Sequence, residues 1–165
     1  MTGIELYDGI ASLSSDTLEY ETIWTSYKNI LRRVARDYVD TMNVIHYMHD
    51  KYYYERSQMA LIDTDVERTM AFGIAGLSVV VDSLSSIRYG QVRVMRNEKG
   101  LSEAFDITGN PPYYGNDDDQ ADDIARDVVN FFMSCLREQI IYRNAKPTLS
   151  VLTITSNVVY GKKTG

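Results

Sequence analysis

Two histidines, one cysteine, a cluster of aspartates and a glycine-lysine run are the residues here whose types and spacing could do chemistry. His46 and His49 stand three apart with Asp50 beside them, so helical geometry would put two imidazoles on one face, as a metal site requires. The zinc-protease pattern needs a spacing of four and a Glu after the first His; here the spacing is three and Tyr47 follows, so packed, hydrogen-bonded histidines are the better reading and no metal site is assigned. Asp117, Asp118, Asp119, Asp122 and Asp123 lack the alternating ligands, central Gly and terminal Glu of a calcium loop. They read instead as a solvated helix start that complements the positive end of the dipole. Gly161, Lys162, Lys163 and Thr164 look like the end of a phosphate-binding loop, but position 156 is Ser where that loop needs Gly, and no nucleotide site is assigned. Cys135 falls on an apolar stripe beside Phe131 and Phe132 with no basic residue four away, the setting of a buried structural thiol rather than a nucleophile. Tyr52, Tyr53 and Tyr54, with Lys51 and Arg56, could stack on bases; the acidic balance of the chain favours a packed aromatic cluster. No catalytic residue is assigned, and cofactor-binding residues are left open.

The elements that must position these residues belong to one unit. A chain of 165 residues can bury a sizeable core. Its net charge of −6 repels phosphate backbones, so nucleic acid is excluded as a general partner. A single cysteine allows no intrachain disulfide and fits a reducing compartment. No signal-peptide pattern opens the sequence, and no apolar run approaches the roughly 20 residues that span a bilayer. No membrane partner is expected, and the expected location is the cytoplasm. The 13 tyrosines suit packing positions with a polar tip at the core edge.

Residues 1–16 read as a loop or arm. A helix is predicted from Thr17, capped by Asp16 or Thr17, with Tyr20, Ile23, Trp24, Tyr27, Ile30, Leu31, Val34, Ala35 and Tyr38 as its apolar stripe. One long helix, or two nearly continuous ones, covers 17–60. Asp63 to Asp65 resembles a fresh cap, with 66–70 helical. The segment 73–81 is apolar throughout and reads as buried, either strand or helix; together with a short capped helix over 82–89 ending at Gly90 it forms a core segment over 73–90. Alternating residues at 91–96 and 101–107 flank a turn with Gly100 and predict a hairpin over 91–107. A second helix over 117–145 carries Ile124, Val128, Phe131, Phe132, Cys135, Leu136 and Ile140, and Pro147 is expected to end it. The best strand of the sequence, 149–160, follows.

At 43–52 (NVIHYMHDKY), 68–78 (RTMAFGIAGLS) and 150–165 (SVLTITSNVVYGKKTG) the sequence resembles pyruvate formate-lyase, also called formate acetyltransferase, of the glycyl radical enzymes. The likeness covers 38–165; residues 1–37 suit the family as a helix more than in detail. It implies an α/β fold, namely a partial, helix-rich segment of a ten-stranded α/β barrel with one hairpin and a terminal barrel strand. It also implies the chemistry. A backbone glycyl radical passes its spin to a cysteine, and the thiyl radical attacks pyruvate at the carbonyl. Formate leaves, and the acetyl group on sulfur moves to coenzyme A, the co-substrate. Implied partners are the remainder of a longer chain, a radical-SAM activating enzyme and, for the complete protein, a second copy in a homodimer.

The family's paired cysteines and its Arg-Val-Ser-Gly-Tyr radical loop are not in this sequence, and Gly73, Gly76 and Gly165 do not stand in that context. The resemblance therefore implies a single internal fragment whose catalytic cysteines and radical glycine lie elsewhere, with no cofactor in this chain. Alternation along 151–155 puts Leu152 and Ile154 on one strand face. The resemblance makes them wall of the pyruvate pocket; ordinary core packing stays open beside it. Open too are a non-catalytic barrel segment with a structural or assembly role and a lyase that prefers 2-oxobutyrate.

Overall fold

The computed structural model describes residues 13–52, 61–62 and 65–151. Its longest element, α1 (Tyr20–Lys51), has 32 residues and no internal Gly or Pro. At ~1.5 Å per residue it is about 48 Å long, enough to serve two cores. Tyr20, Ile23, Trp24 and Tyr27 of its first turns pack on one cluster. Leu31, Val34, Ala35, Tyr38, Val39 and Met42 pack on the other.

The helix starts later than predicted, and neither Asp16 nor Thr17 caps it. Residues 16–18 are drawn into β pairing instead: the Leu18 amide donates to Val92 O (3.1 Å), the Val94 amide donates to Asp16 O (2.7 Å), and Thr17 bridges Arg93. The N-cap position falls to Glu19, whose side chain makes no capping bond. The predicted helical extension to 60 lies largely outside the described residues.

Strand β1 (Thr69–Ile74) occupies part of the stretch expected to be helical at 66–70. The ambiguous run at 73–81 is both strand and helix. β1 ends at Ile74, Gly76 turns the chain at φ 78°, and α2 (Leu77–Tyr89) begins at once. A left-handed residue with no Cβ makes that abrupt change inexpensive. Asp82 is thus inside α2 rather than its cap, and its Oδ1 accepts from the Tyr114 amide (2.8 Å).

The hairpin forms from β2 (Gln91–Arg96) and β3 (Ser102–Thr108), with Val92 opposite Ile107 and Val94 opposite Phe105. Asn97 builds its turn by accepting at Oδ1 from the Lys99 and Leu101 amides, 3.0 Å each. Val92 and Val94 are buried, whereas their cross-strand partners Phe105 and Ile107 remain 57% and 51% exposed.

Asp118 caps α3 (Asp119–Arg137) by accepting from the Gln120 and Ala121 amides (2.9 and 3.4 Å). This helix is shorter than predicted. It stops at Arg137, Ile140 is 88% exposed rather than on the stripe, and a 3-10 turn (Tyr142–Asn144) leads into β4 (Lys146–Val151). Pro147 therefore lies within a strand and ends no helix. The Lys146 amide donates to Arg68 O on the β1 side (2.9 Å), so by alternation the missing N–H of Pro147 falls on the side away from β1, where the ladder loses nothing. β4 begins earlier than 149, and its expected course beyond Val151 lies outside the described residues.

β1 and β4 run parallel, in register from Thr69 opposite Lys146 to Ile74 opposite Val151. Phe72 of β1 is fully buried and meets the ring of Tyr38 edge-on, with centroids 5.1 Å apart. The Gly73 amide donates to Tyr38 Oη (3.2 Å), tying α1 to the strand. Among the described residues no helix is long and apolar enough to cross a membrane.

Gly90 closes α2 where it abuts the hairpin. A Cβ there would lie 2.8 Å from Thr108 O and 2.9 Å from Ser86 O, both backbone atoms. Gly90→Ala should destabilise the protein by about 1–3 kcal/mol through this overlap, read as a lower urea midpoint. An unchanged midpoint would mean that the hairpin can move away from the helix.

Candidate functional site

The polar residues that the fold brings together lie where the last turns of α1 meet the turn before β4. Asn43, His46, Tyr47 and Asp50 recur at spacings of three and four along α1 and so share a face. Asn43 reads the facing main chain from both sides: Nδ2 donates to Ile140 O (2.9 Å), and Oδ1 accepts from the Tyr142 amide (2.8 Å). Further along, the rings of Tyr47 and Tyr142 meet edge-on at 6.2 Å.

Asp50 is the centre of this arrangement. Its side chain is 6% exposed and pairs with the Arg143 guanidinium, and Oδ2 also accepts from Tyr142 Oη (2.7 Å). Its other oxygen, Oδ1, is buried without a hydrogen-bond partner. Arg143 and Asn144 both hold left-handed backbone, at φ 55° and 56°. For residues bearing a Cβ that conformation costs of order 1–3 kcal/mol each. This turn is what brings Arg143 and Tyr142 onto the buried carboxylate of Asp50.

A cavity of about 180 Å³ opens beside this network, lined by His46, Glu67, Arg68, Thr69, Met70, Tyr142 and Ala145. The rings of His46 and His49 lie 6.4 Å apart. Among the described residues no group of three or more His, Cys, Asp or Glu side chains is placed to hold a metal ion. Cys135 is buried among Ala35, Phe132 and Leu136; burial first, and then the Glu138 charge, push its thiol pKa up, so it is poorly suited to nucleophilic work. The acidic run divides between the cap at Asp118 and an exposed Asp123–Arg126 pair (2.7 Å). Tyr52 is exposed, while Tyr53 and Tyr54 lie outside the described residues. So do Leu152, Ile154, the 161–164 run and Gly165; β4 is described up to Val151, immediately before Leu152.

The family model described as Pyruvate formate lyase-like matches residues 1–161. The chain belongs to this family. The pyruvate formate lyase-like match takes in residues 1–37 as well, a region where the sequence alone offered little beyond a helix. The PFL-like enzyme TdcE of Escherichia coli (strain K12) is 54% identical over 155 residues, which is 94% of this chain and 20% of that protein. The chain thus spans about a fifth of the length of the curated relative it matches. Its parallel strand pair, antiparallel hairpin and covering helices are an α/β segment of a pyruvate formate lyase-like barrel.

The Asp50–Tyr142–Arg143 network leaves no local signal in the sequence, because its members are about ninety residues apart and the helical pattern predicted over 117–145 runs through Tyr142 and Arg143. Asp50→Asn should destabilise the protein by about 3–5 kcal/mol, since it leaves Arg143 without its ion pair. Tyr142→Phe should cost about 1.5–3 kcal/mol, the range for a hydrogen bond to a charged group. The two changes should be non-additive in a double-mutant cycle read by urea unfolding; additive effects would show that the observed contact carries little energy.

Proposed function

We propose that this chain is part of a glycyl radical acyltransferase that converts pyruvate and coenzyme A to acetyl-CoA and formate. Membership of the pyruvate formate lyase-like family is the observation that carries this reading. In it, the radical glycine and the cysteines that relay the spin and hold the acetyl group lie in other parts of the protein. The present residues supply barrel wall. Leu152 and Ile154, directly after the described part of β4, would line the pocket for the methyl end of the 2-oxo acid. An apolar wall there keeps water from the radical while leaving the carboxylate to cationic groups elsewhere.

The surfaces of the segment support a larger assembly. Among the described residues β1 and β4 pair only with each other, so each has an outer edge available for another strand. Phe105 and Ile107 continue the buried face of Val92 and Val94 yet stay half exposed. The remainder of the family chain is the proposed cover for these surfaces. A radical-SAM activating enzyme, a homodimeric complete protein and a cytoplasmic location belong to the same reading.

A second reading, a barrel segment with a structural role, is favoured by one observation: the thiol of Cys135 is buried and its pKa is pushed up, which suits packing rather than attack. The 165-residue chain alone should produce no formate from pyruvate, even with an activating enzyme and coenzyme A, whereas the intact radical enzyme should produce it. Formate from the short chain would overturn the proposed division of labour, and none from the activated intact enzyme would favour the structural reading. In the intact enzyme, Leu152→Ala should raise the ratio of kcat/KM for 2-oxobutyrate over pyruvate by about tenfold, the discrimination one methylene typically commands. An unchanged ratio would assign Leu152 to core packing, and a wild-type ratio above one would make 2-oxobutyrate the preferred substrate.

A further inference from the structure

We propose that the cavity between the last turns of α1, the start of β1 and the 142–145 turn binds a small oxyanion, a carboxylate or phosphate group, through Arg68. The first observation is an unmet donor. Arg68 lines the cavity, and its Nε is buried without a hydrogen-bond partner. Because Nε has no contact with solvent, an acceptor in the cavity would meet the guanidinium as a whole, a cation that makes no side-chain hydrogen bond among the described residues.

The second observation is the charge arrangement. Glu67, the carboxylate on the cavity wall, is paired with Lys146, whose ammonium holds its carboxyl below the usual range. Asp50, behind Tyr142, is paired with Arg143. Arg68 makes no ion pair with a carboxylate among the described residues. Glu67 and Asp50 are thus already matched, and Arg68 is the cation whose charge a ligand would balance. A planar guanidinium suits carboxylate and phosphate oxygens, which supply both acceptor and counter-charge.

Size is the third. At ~30 Å³ per water in the liquid, a cavity of about 180 Å³ has room for several waters or one small oxyanion. Thr69 and His46 add polar wall, and Met70 and Ala145 close the apolar side. This inference does not depend on the acyltransferase reading.

The test is calorimetric titration of the intact protein with inorganic phosphate and, separately, with acetate, at constant ionic strength. Saturable binding of at least one is expected, weakened at least tenfold in Arg68→Met and unchanged in Arg126→Met, a charge-loss control on the exposed face of α3. Phosphate alone binding would identify a phosphate site, and acetate alone a carboxylate site. No binding to the wild type, or equal binding to Arg68→Met, would overturn the proposal. Should Arg68→Met fail to fold, wild-type crystals soaked in arsenate decide the matter. An anomalous peak within hydrogen-bond distance of the Arg68 guanidinium supports the site, and ordered water alone there refutes it.

Discussion

Two neighbouring parallel strands cannot be joined by a turn. The rest of this structure depends on that constraint. β1 and β4 lie side by side in register, and the chain between them must leave one end of the pair and return to the other. α2, the hairpin and α3 are that return path, and each is fitted to the pair or to the next element along. α1 lies across the whole arrangement, contributing Tyr38 and Val39 to the core under the strands and Trp24 and Tyr27 to the core between α2 and α3. α3 also serves both, with Ala121, Ile124 and Val128 in one cluster and Phe132, Cys135 and Leu136 in the other. This is the logic of an α/β barrel wall, in which helices cover parallel strands whose outer edges await further strands.

Much of this was legible in the sequence, because the relevant signals are local. The stripe from Tyr20 to Tyr38 has a helical period, and the stretch forms a helix. Asp118 is followed by acids and then by Ile124 and Val128, and the helix starts where a cap and dipole would place it. Asn97 and Gly100 mark a turn between alternating segments, and a hairpin is found there. The misreadings share a cause: a long-range pairing outweighed a local preference. Asp16 and Thr17 are good caps, but the hairpin offers their backbone a ladder. Pro147 is a good helix terminator, but its missing N–H faces away from β1, so the β1–β4 ladder keeps its bonds. The run at 73–81 reads as buried throughout, yet only Leu77 and Val81 in it are buried and Ala75 is exposed; its uniform apolarity hides the break between a strand half and a helix half.

The site residues divide in the same way. Cys135 was readable as a structural thiol because its neighbours on the helix stripe define its surroundings. Asp50 was not, since nothing within a few turns of it announces a partner. The tyrosine and arginine that hold it are displayed by a left-handed turn that no propensity would place at Arg143. Arg68 is a similar case. In the sequence it is only a basic residue ahead of an apolar segment; in the fold it stands at the foot of a strand, against a cavity, with the neighbouring carboxylates committed elsewhere.

The bonds from Asn43 have an evolutionary corollary. Its amide grips a carbonyl and an amide of the opposing main chain, groups that every residue except proline provides. The docking of the helix onto this turn is therefore indifferent to which side chain sits at position 140, and Ile140 points into solvent. Substitutions can accumulate at that position without disturbing the joint, while the asparagine that reads the backbone has no equivalent replacement of the same length. Constraint and freedom are thus set against each other across a single contact, and the free partner is the one whose side chain takes no part.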